Sequence, residues 1–145
     1  MSLGVTGSSR STYAILGCGS VGHAVAEDLA EADNDVLILD KDADRVEALR
    51  DQDLNATVQD ISEPSVAAAV ADRDILLVLA SDTEANTAAV AAIREAGCDP
   101  YLVVRASDPV SQDELSQLGP AAVVNPSDVL ADSAPRRLDS GRPPY

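Results

Sequence analysis

The feature that most constrains this chain is the run Gly17-Cys18-Gly19-Ser20-Val21-Gly22, which stands between a short apolar stretch, Thr12 to Leu16, and a segment with helical spacing, Val21 to Ala32. A strand that turns sharply into a helix needs a residue without a side chain at the turn, here Gly17. Gly19 then lets a pyrophosphate approach the backbone, and Gly22 lets helix and strand pack closely. The unpaired amide groups of the helix N-terminus, with the positive end of its dipole, complete an anion-binding loop. Cys18 fills a variable position with its backbone toward the ligand, and Ser20 and Val21 open the helix.

Such a loop alone is weak support for a binding site. It gains weight from Asp40, which ends a second apolar run, Val36 to Leu39, about twenty positions on. A carboxylate there accepts hydrogen bonds from both ribose hydroxyls and repels a 2′-phosphate, which favours NAD or an adenosine nucleotide over NADP. Lys41 and Arg45 lie just beyond and would tolerate some added negative charge, although at a helix start such residues are more often solvated. The competing view, a Gly-rich turn that merely closes a strand–helix unit, does not account for Asp40.

Further runs with strand character follow at Ala56 to Val58, Ile75 to Ala80, Leu102 to Arg105 and Val123 to Val124. Helical spacing recurs at Asp44 to Asp51, Pro64 to Ala71, Thr83 to Ala96 and Ser111 to Leu118, with Gly97 and Gly119 as stop signals. Asn125-Pro126 opens a further short helix to about Leu130. Alternation of this kind predicts an α/β fold, a Rossmann-type doubly wound parallel six-stranded sheet with helices on both faces. The domain spans 12–132, between a Gly/Ser-rich tail at 1–11 and a Pro/Arg-rich tail or linker at 133–145.

The formal net charge is -15, from 25 acidic and 10 basic residues. Nucleic acid and anionic lipid are poor partners for such a surface, because both need clustered Lys and Arg. An acidic chain whose single lysine is Lys41 resembles halophilic proteins, whose self-repulsion molar salt screens; an ordinary acidic cytosolic protein is the alternative. With no Phe or Trp the core is aliphatic. Cys18 and Cys98 show no disulfide or zinc pattern, and no apolar run reaches the roughly 18 to 20 residues of a membrane span, so a cytoplasmic protein without membrane insertion is expected.

Polar residues gather where the later strands end, the edge at which open α/β sheets bind ligands: Asp60, Ser81, Asp82 and Arg105. Asp60 equally suits a carboxylate facing a helix dipole, and Ser81 and Asp82 equally suit a helix cap. Arg105, ending a buried strand, needs a phosphate or an acidic neighbour. His23 has no motif-placed carboxylate and no nucleophile, so a helix-surface role fits it better than general-base chemistry. A helix N-terminus can lower a thiol pKa, but no other residue of the sequence supports redox reactivity at Cys18.

Taken in order, YAILGCGSVG from Tyr13, VLILD ending at Asp40, QDISEP at 59–64, ILLVLASDTEAN at 75–86, LVVRAS at 102–107 and VVNPSDVLAD at 123–132 resemble the TrkA-N family. These are the N-terminal nucleotide-binding domains of RCK (KTN) regulators of potassium transport, and similar domains are fused to DHH-type phosphoesterases. The resemblance implies binding of NAD(H), or of ATP, ADP or AMP, with the three glycines on phosphate and Asp40 on ribose. It places Asp60 and Ile61 at the adenine side and Ala80, Ser81, Asn86 and Arg105 at the phosphate or nicotinamide side. Ser20 departs from the arginine that several ATP-sensing relatives carry after the second glycine.

Three functions compete: a nucleotide-sensing module of a homodimer acting on a membrane potassium transporter or fused C-terminal domain, the N-terminal domain of a DHH-type, exopolyphosphatase-related phosphoesterase, and a fragment of an NAD-dependent oxidoreductase. The third needs a substrate domain and an acid/base pair that 145 residues do not supply. No catalytic or metal-binding residue is assigned.

Overall fold

Strands in this protein are short and both faces of the central ones are apolar, so they must be covered by helices on two sides. The computed structural model describes residues 11–106, 109–120 and 122–124. In chain order these form β1 (Thr12–Leu16), α1 (Ser20–Glu31), β2 (Asp35–Asp40), α2 (Ala43–Asp51), β3 (Asn55–Val58), α3 (Val66–Ala69), β4 (Ile75–Val78), α4 (Thr83–Glu95), β5 (Tyr101–Arg105), α5 (Pro109–Gln117) and β6 (Ala122–Val124). All strand pairs are parallel, in the order β3-β2-β1-β4-β5-β6. This is the doubly wound Rossmann order, which reverses between β1 and β4 and opens a crevice at the carboxyl ends of those strands.

Alternation along the strands sorts side chains between two cores. Ile15 and Ile38 point to one face, where Ala26 of α1 and Val46 and Leu49 of α2 cover them. Ala14, Leu16 and Leu39 point to the other, against Val66 and Ala67 of α3, Val90 and Ile93 of α4 and Leu115 of α5. Burying an aliphatic side chain of this size contributes about 1.5–3 kcal/mol, so aliphatic residues alone can stabilise the sheet.

Helix starts differ in a way that matters for the site. Asp42 caps α2, accepting from the amides of Asp44 and Arg45, and Asp82 caps α4, accepting from those of Glu84 and Ala85. Helix α1 begins at Gly19 with no capping side chain and no acidic residue in its first turn. Its amide ends and dipole are left for something outside the helix.

Three expectations need correction. The helix foreseen from Pro64 to Ala71 is a single turn, Val66–Ala69, because the preceding segment is held in turns: Asp60 accepts from Ser62 N and Oγ, and Gln59 Nε2 donates to Ser65 Oγ. The strand foreseen to Ala80 ends at Val78, where the chain turns toward the Asp82 cap. Ser11, assigned to the tail, is tied to the domain, with its amide on Asn34 Oδ1 and its carbonyl accepting from Asp35 N. The rest of both tails and the short helix at Asn125-Pro126 lie outside the described residues.

Candidate functional site

Gly17 ends β1 with a φ of +88°, and its amide donates to the Leu39 carbonyl at 2.8 Å. A Cβ added there would lie 2.6 Å from Ala80 Cβ, so the loop and the end of β4 meet at a distance only glycine permits. At Gly22 an added Cβ would meet Gly17 O at 3.1 Å and Ile15 Cγ2 at 3.4 Å, the close helix–strand approach expected of the third glycine. At Gly19 it would meet nothing within 4 Å, since this residue faces the crevice.

The crevice is a cavity of about 500 Å³, within the range of nucleotide-sized sites. Gly17, Cys18, Gly19, Asp40, Lys41, Asp60, Ile61, Ala80, Ser81 and Arg105 all line it, which brings the ends of four strands together around the glycine loop. Arg45 and Asp82 border it too, whereas three residues of the glycine loop and the start of α1 lie elsewhere. Ser20 faces a smaller neighbouring cavity, Val21 is exposed, and Gly22 is buried in the helix–strand contact.

Asn86 is fully buried below the cavity and does not line it. Its Nδ2 donates to Ala80 O at 2.8 Å and Arg105 O at 3.0 Å, so it ties together the ends of β4 and β5 that form the floor. Asn86→Ala leaves two strand-end carbonyls short of a donor and is expected to cost about 2 kcal/mol, read as a lower urea midpoint. An unchanged midpoint would show that water replaces the amide without loss.

Asp40 is buried at the centre of the polar network. Its Oδ2 accepts from Cys18 N at 2.8 Å and Arg45 Nη1 at 3.1 Å, and its Oδ1 accepts from Asp42 N at 2.8 Å. The carboxylate thus pins the glycine loop to β2, and in return it raises the Arg45 pKa further above an already high value through their hydrogen bond and charge. Arg45, for which the sequence left a place beside the ligand and a solvated one both open, is a wall of the cavity and half exposed. Asp82 is the α4 cap, as one sequence alternative had it, and also reaches the cavity. The hydrogen bond from Ser62 Oγ, followed by that from its backbone amide, holds the Asp60 carboxyl below the usual range.

Arg105 has no acidic partner among the described residues. One Nη donates weakly to Leu79 O at 3.3 Å, and its buried Nε has no partner among the described residues. A guanidinium so placed, on the wall of the cavity, is a donor awaiting an acceptor. His23 pairs with Gln52 at 2.7 Å and lies 3.8 Å from Glu27, on the helix surface.

The lowered pKa that a helix N-terminus would allow at Cys18 is not found. Burial, and then the charge of Asp40, push the thiol up from 9.0 to about 11, with Arg45 opposing. Alkylation of the native protein should therefore be slow at pH 8 and rise with a midpoint near 11. Since the folded value is the raised one, the associated stability is present below about 9 and is lost as pH rises through about 11. A midpoint near 9 would show an exposed thiol.

Sequence reading missed Ser62, Glu84, Ala85 and Ala88 as cavity residues. The last three share one face of α4 at one- and four-residue spacing, so a helical projection from Asp82 would have found them.

Comparison with known proteins gives the family and the fold. The potassium uptake protein TrkA of Vibrio alginolyticus is 40% identical over 78 residues, which are 52% of this chain and 17% of that protein, so the chain matches only a small part of its length. The NAD(P)-binding domain of an exopolyphosphatase-related protein from Archaeoglobus fulgidus superposes with a TM-score of 0.80 at 25% identity, covering 90% of this chain and 99% of that one. The GsuK channel bound to NAD superposes with a TM-score of 0.70 at 18% identity, over 79% of this chain and 21% of that one, a likeness of fold. The model of the TrkA-N domain matches residues 13–126, and the chain belongs to the TrkA-N domain family.

Proposed function

We propose that this domain is a regulatory module that binds NAD(H), with ATP, ADP or AMP able to use the adenosine half of the same site, and that it carries no catalysis of its own. The observation that supports this best is that the glycine loop leading into the uncapped start of α1 and the buried Asp40 carboxylate border one cavity. The residues present fit the nucleotide: amides of the glycine loop for phosphate, Asp40 for ribose, the apolar surface of Ile61 for adenine, and Arg105 for the second phosphate or the nicotinamide end. When bound, the nucleotide supplies charge and bulk that draw the ends of β1, β2, β4 and β5 onto one ligand.

His23 is held by Gln52 and Glu27 outside the main cavity and the Cys18 thiol is protonated, so neither of these residues is poised to act as a base or nucleophile. Occupancy would be communicated to a second copy of the domain and to a potassium transporter of the membrane, the latter because the TrkA relatives are named as potassium uptake proteins. The likeness to the exopolyphosphatase-related domain supports a second reading, in which the module regulates a fused phosphoesterase. The open reading frame around the chain separates the two.

Calorimetric titration tests the common core of both readings. NADH is expected to bind about tenfold more tightly than NADPH, whose 2′-phosphate meets Asp40. NADPH binding as tightly as NADH would remove the ribose assignment.

A further inference from the structure

We infer that Arg45 is a specificity-determining residue of the nucleotide site, acting as an internal competitor for the acceptor position on Asp40 that a ribose with two free hydroxyls requires. This rests on the nucleotide-binding reading above. An ionised carboxylate offers about four acceptor positions. Three are taken: Asp42 N holds one on Oδ1, and Cys18 N and Arg45 Nη1 hold both on Oδ2. A 2′,3′-diol brings two donors to one vacant position, so one existing partner must leave.

Two of the three partners are backbone amides, one in the glycine loop and one in the turn that begins α2, and neither can move without undoing its element. Arg45 can. Its side chain is 48% exposed, on the first turn of α2, while that of Asp40 is 5% exposed and offers little other approach. Arg45 also borders the smaller cavity of about 240 Å³, with His23, Ala48 and Gln52, which gives the displaced guanidinium a place to lie.

The competition has opposite signs for two ligand classes. A free diol must displace the guanidinium, and breaking an ion pair with one exposed partner costs up to about 1 kcal/mol. A ribose 2′-phosphate brings acceptors and no donor at that position, so it uses Arg45 and is repelled by Asp40. Arg45 therefore narrows the preference for NADH over NADPH that Asp40 creates.

The test compares the wild-type chain with Arg45→Ala, and with Arg45→Met, which keeps the apolar stem, by calorimetry at about 0.1 M salt, where an exposed charge is still felt. Circular dichroism confirms the fold. The ligands are NADH, NADPH, ATP and 2′,3′-dideoxy-ATP. Both variants are expected to bind NADH and ATP about threefold to fivefold more tightly and NADPH more weakly, with the dideoxy ligand showing no gain. Unchanged or weaker NADH binding by both variants, or an equal gain for the dideoxy ligand, overturns the inference while nucleotide binding stands. If the wild type binds none of these ligands, the nucleotide reading fails and the inference falls with it.

Discussion

Asp40→Ala is expected to weaken NADH binding about tenfold to a hundredfold, equivalent to about 1.4 to 2.8 kcal/mol. A hydrogen bond from ribose to an ionised acceptor is worth on the order of 1.5–3 kcal/mol, and displacing Arg45 offsets much of what the second hydroxyl adds. Removing a carboxylate from a chain of net charge -15 also lessens the repulsion of an anionic ligand, which acts in the opposite direction. Contact is expected to win, because distributed surface charge is screened beyond about 3 Å in molar salt whereas a hydrogen bond is not. The structure adds a consequence for stability. Cys18 N is buried and donates to this carboxylate, so the substitution leaves a buried amide unsatisfied and costs about 1–3 kcal/mol. Calorimetry above 1 M salt, paired with urea unfolding, reads both effects. Unchanged or improved affinity in a folded variant would place the ribose elsewhere.

Gly17→Ala is expected to damage the fold itself. At φ +88° a residue with Cβ is strained by about 1–2 kcal/mol, and here the added atom would also sit 2.6 Å from Ala80 Cβ and 2.7 Å from its Cα. The contacted atoms belong to backbone and to a methyl group with no rotamer to change, so β1 and β4 must part, at a further cost of about 1–3 kcal/mol. A total of about 2–5 kcal/mol should lower the melting temperature by roughly 10 °C or more. Gly19→Ala serves as the contrast: nothing lies within 4 Å of its Cβ, so stability should hold while phosphate binding suffers. A Gly17→Ala protein as stable as the wild type would mean that the loop does not approach Ala80 this closely.

The glycine loop and Asp40 were legible in the sequence because their geometry is dictated locally, by a turn that admits no side chain and by a carboxylate at a fixed strand end. The parallel sheet with helices on both faces followed from the alternation of strands and helices. What the sequence left hidden depended on tertiary contacts. Asn86 shares a helix with cavity residues, yet its amide is turned to the strand-end carbonyls, and only the packing of α4 on β4 and β5 decides that. Arg45 looked like a solvated residue at a helix start, and its partner became clear only when α2 was seen to begin over the end of β2. The raised pKa of the Cys18 thiol depends on its burial and on the charge of Asp40, both set by the fold and neither visible in the local sequence. Around Pro64, local hydrogen bonds from Asp60 and Gln59 outcompeted helical propensity.

The central claim is that an adenine nucleotide occupies the crevice between the glycine loop and Asp40. Its most direct test is a titration of the nitrogen-15-labelled domain with NADH, followed by amide chemical shifts. Changes are expected to concentrate at Cys18, Gly19 and Ser20, at Asp40 and Ile61, and at Ser81 and Arg105, while Asn34, Asp53 and Asn55 at the opposite end of the sheet stay still. Shifts confined to that opposite end, or an unchanged spectrum at saturating NADH and ADP, would contradict it.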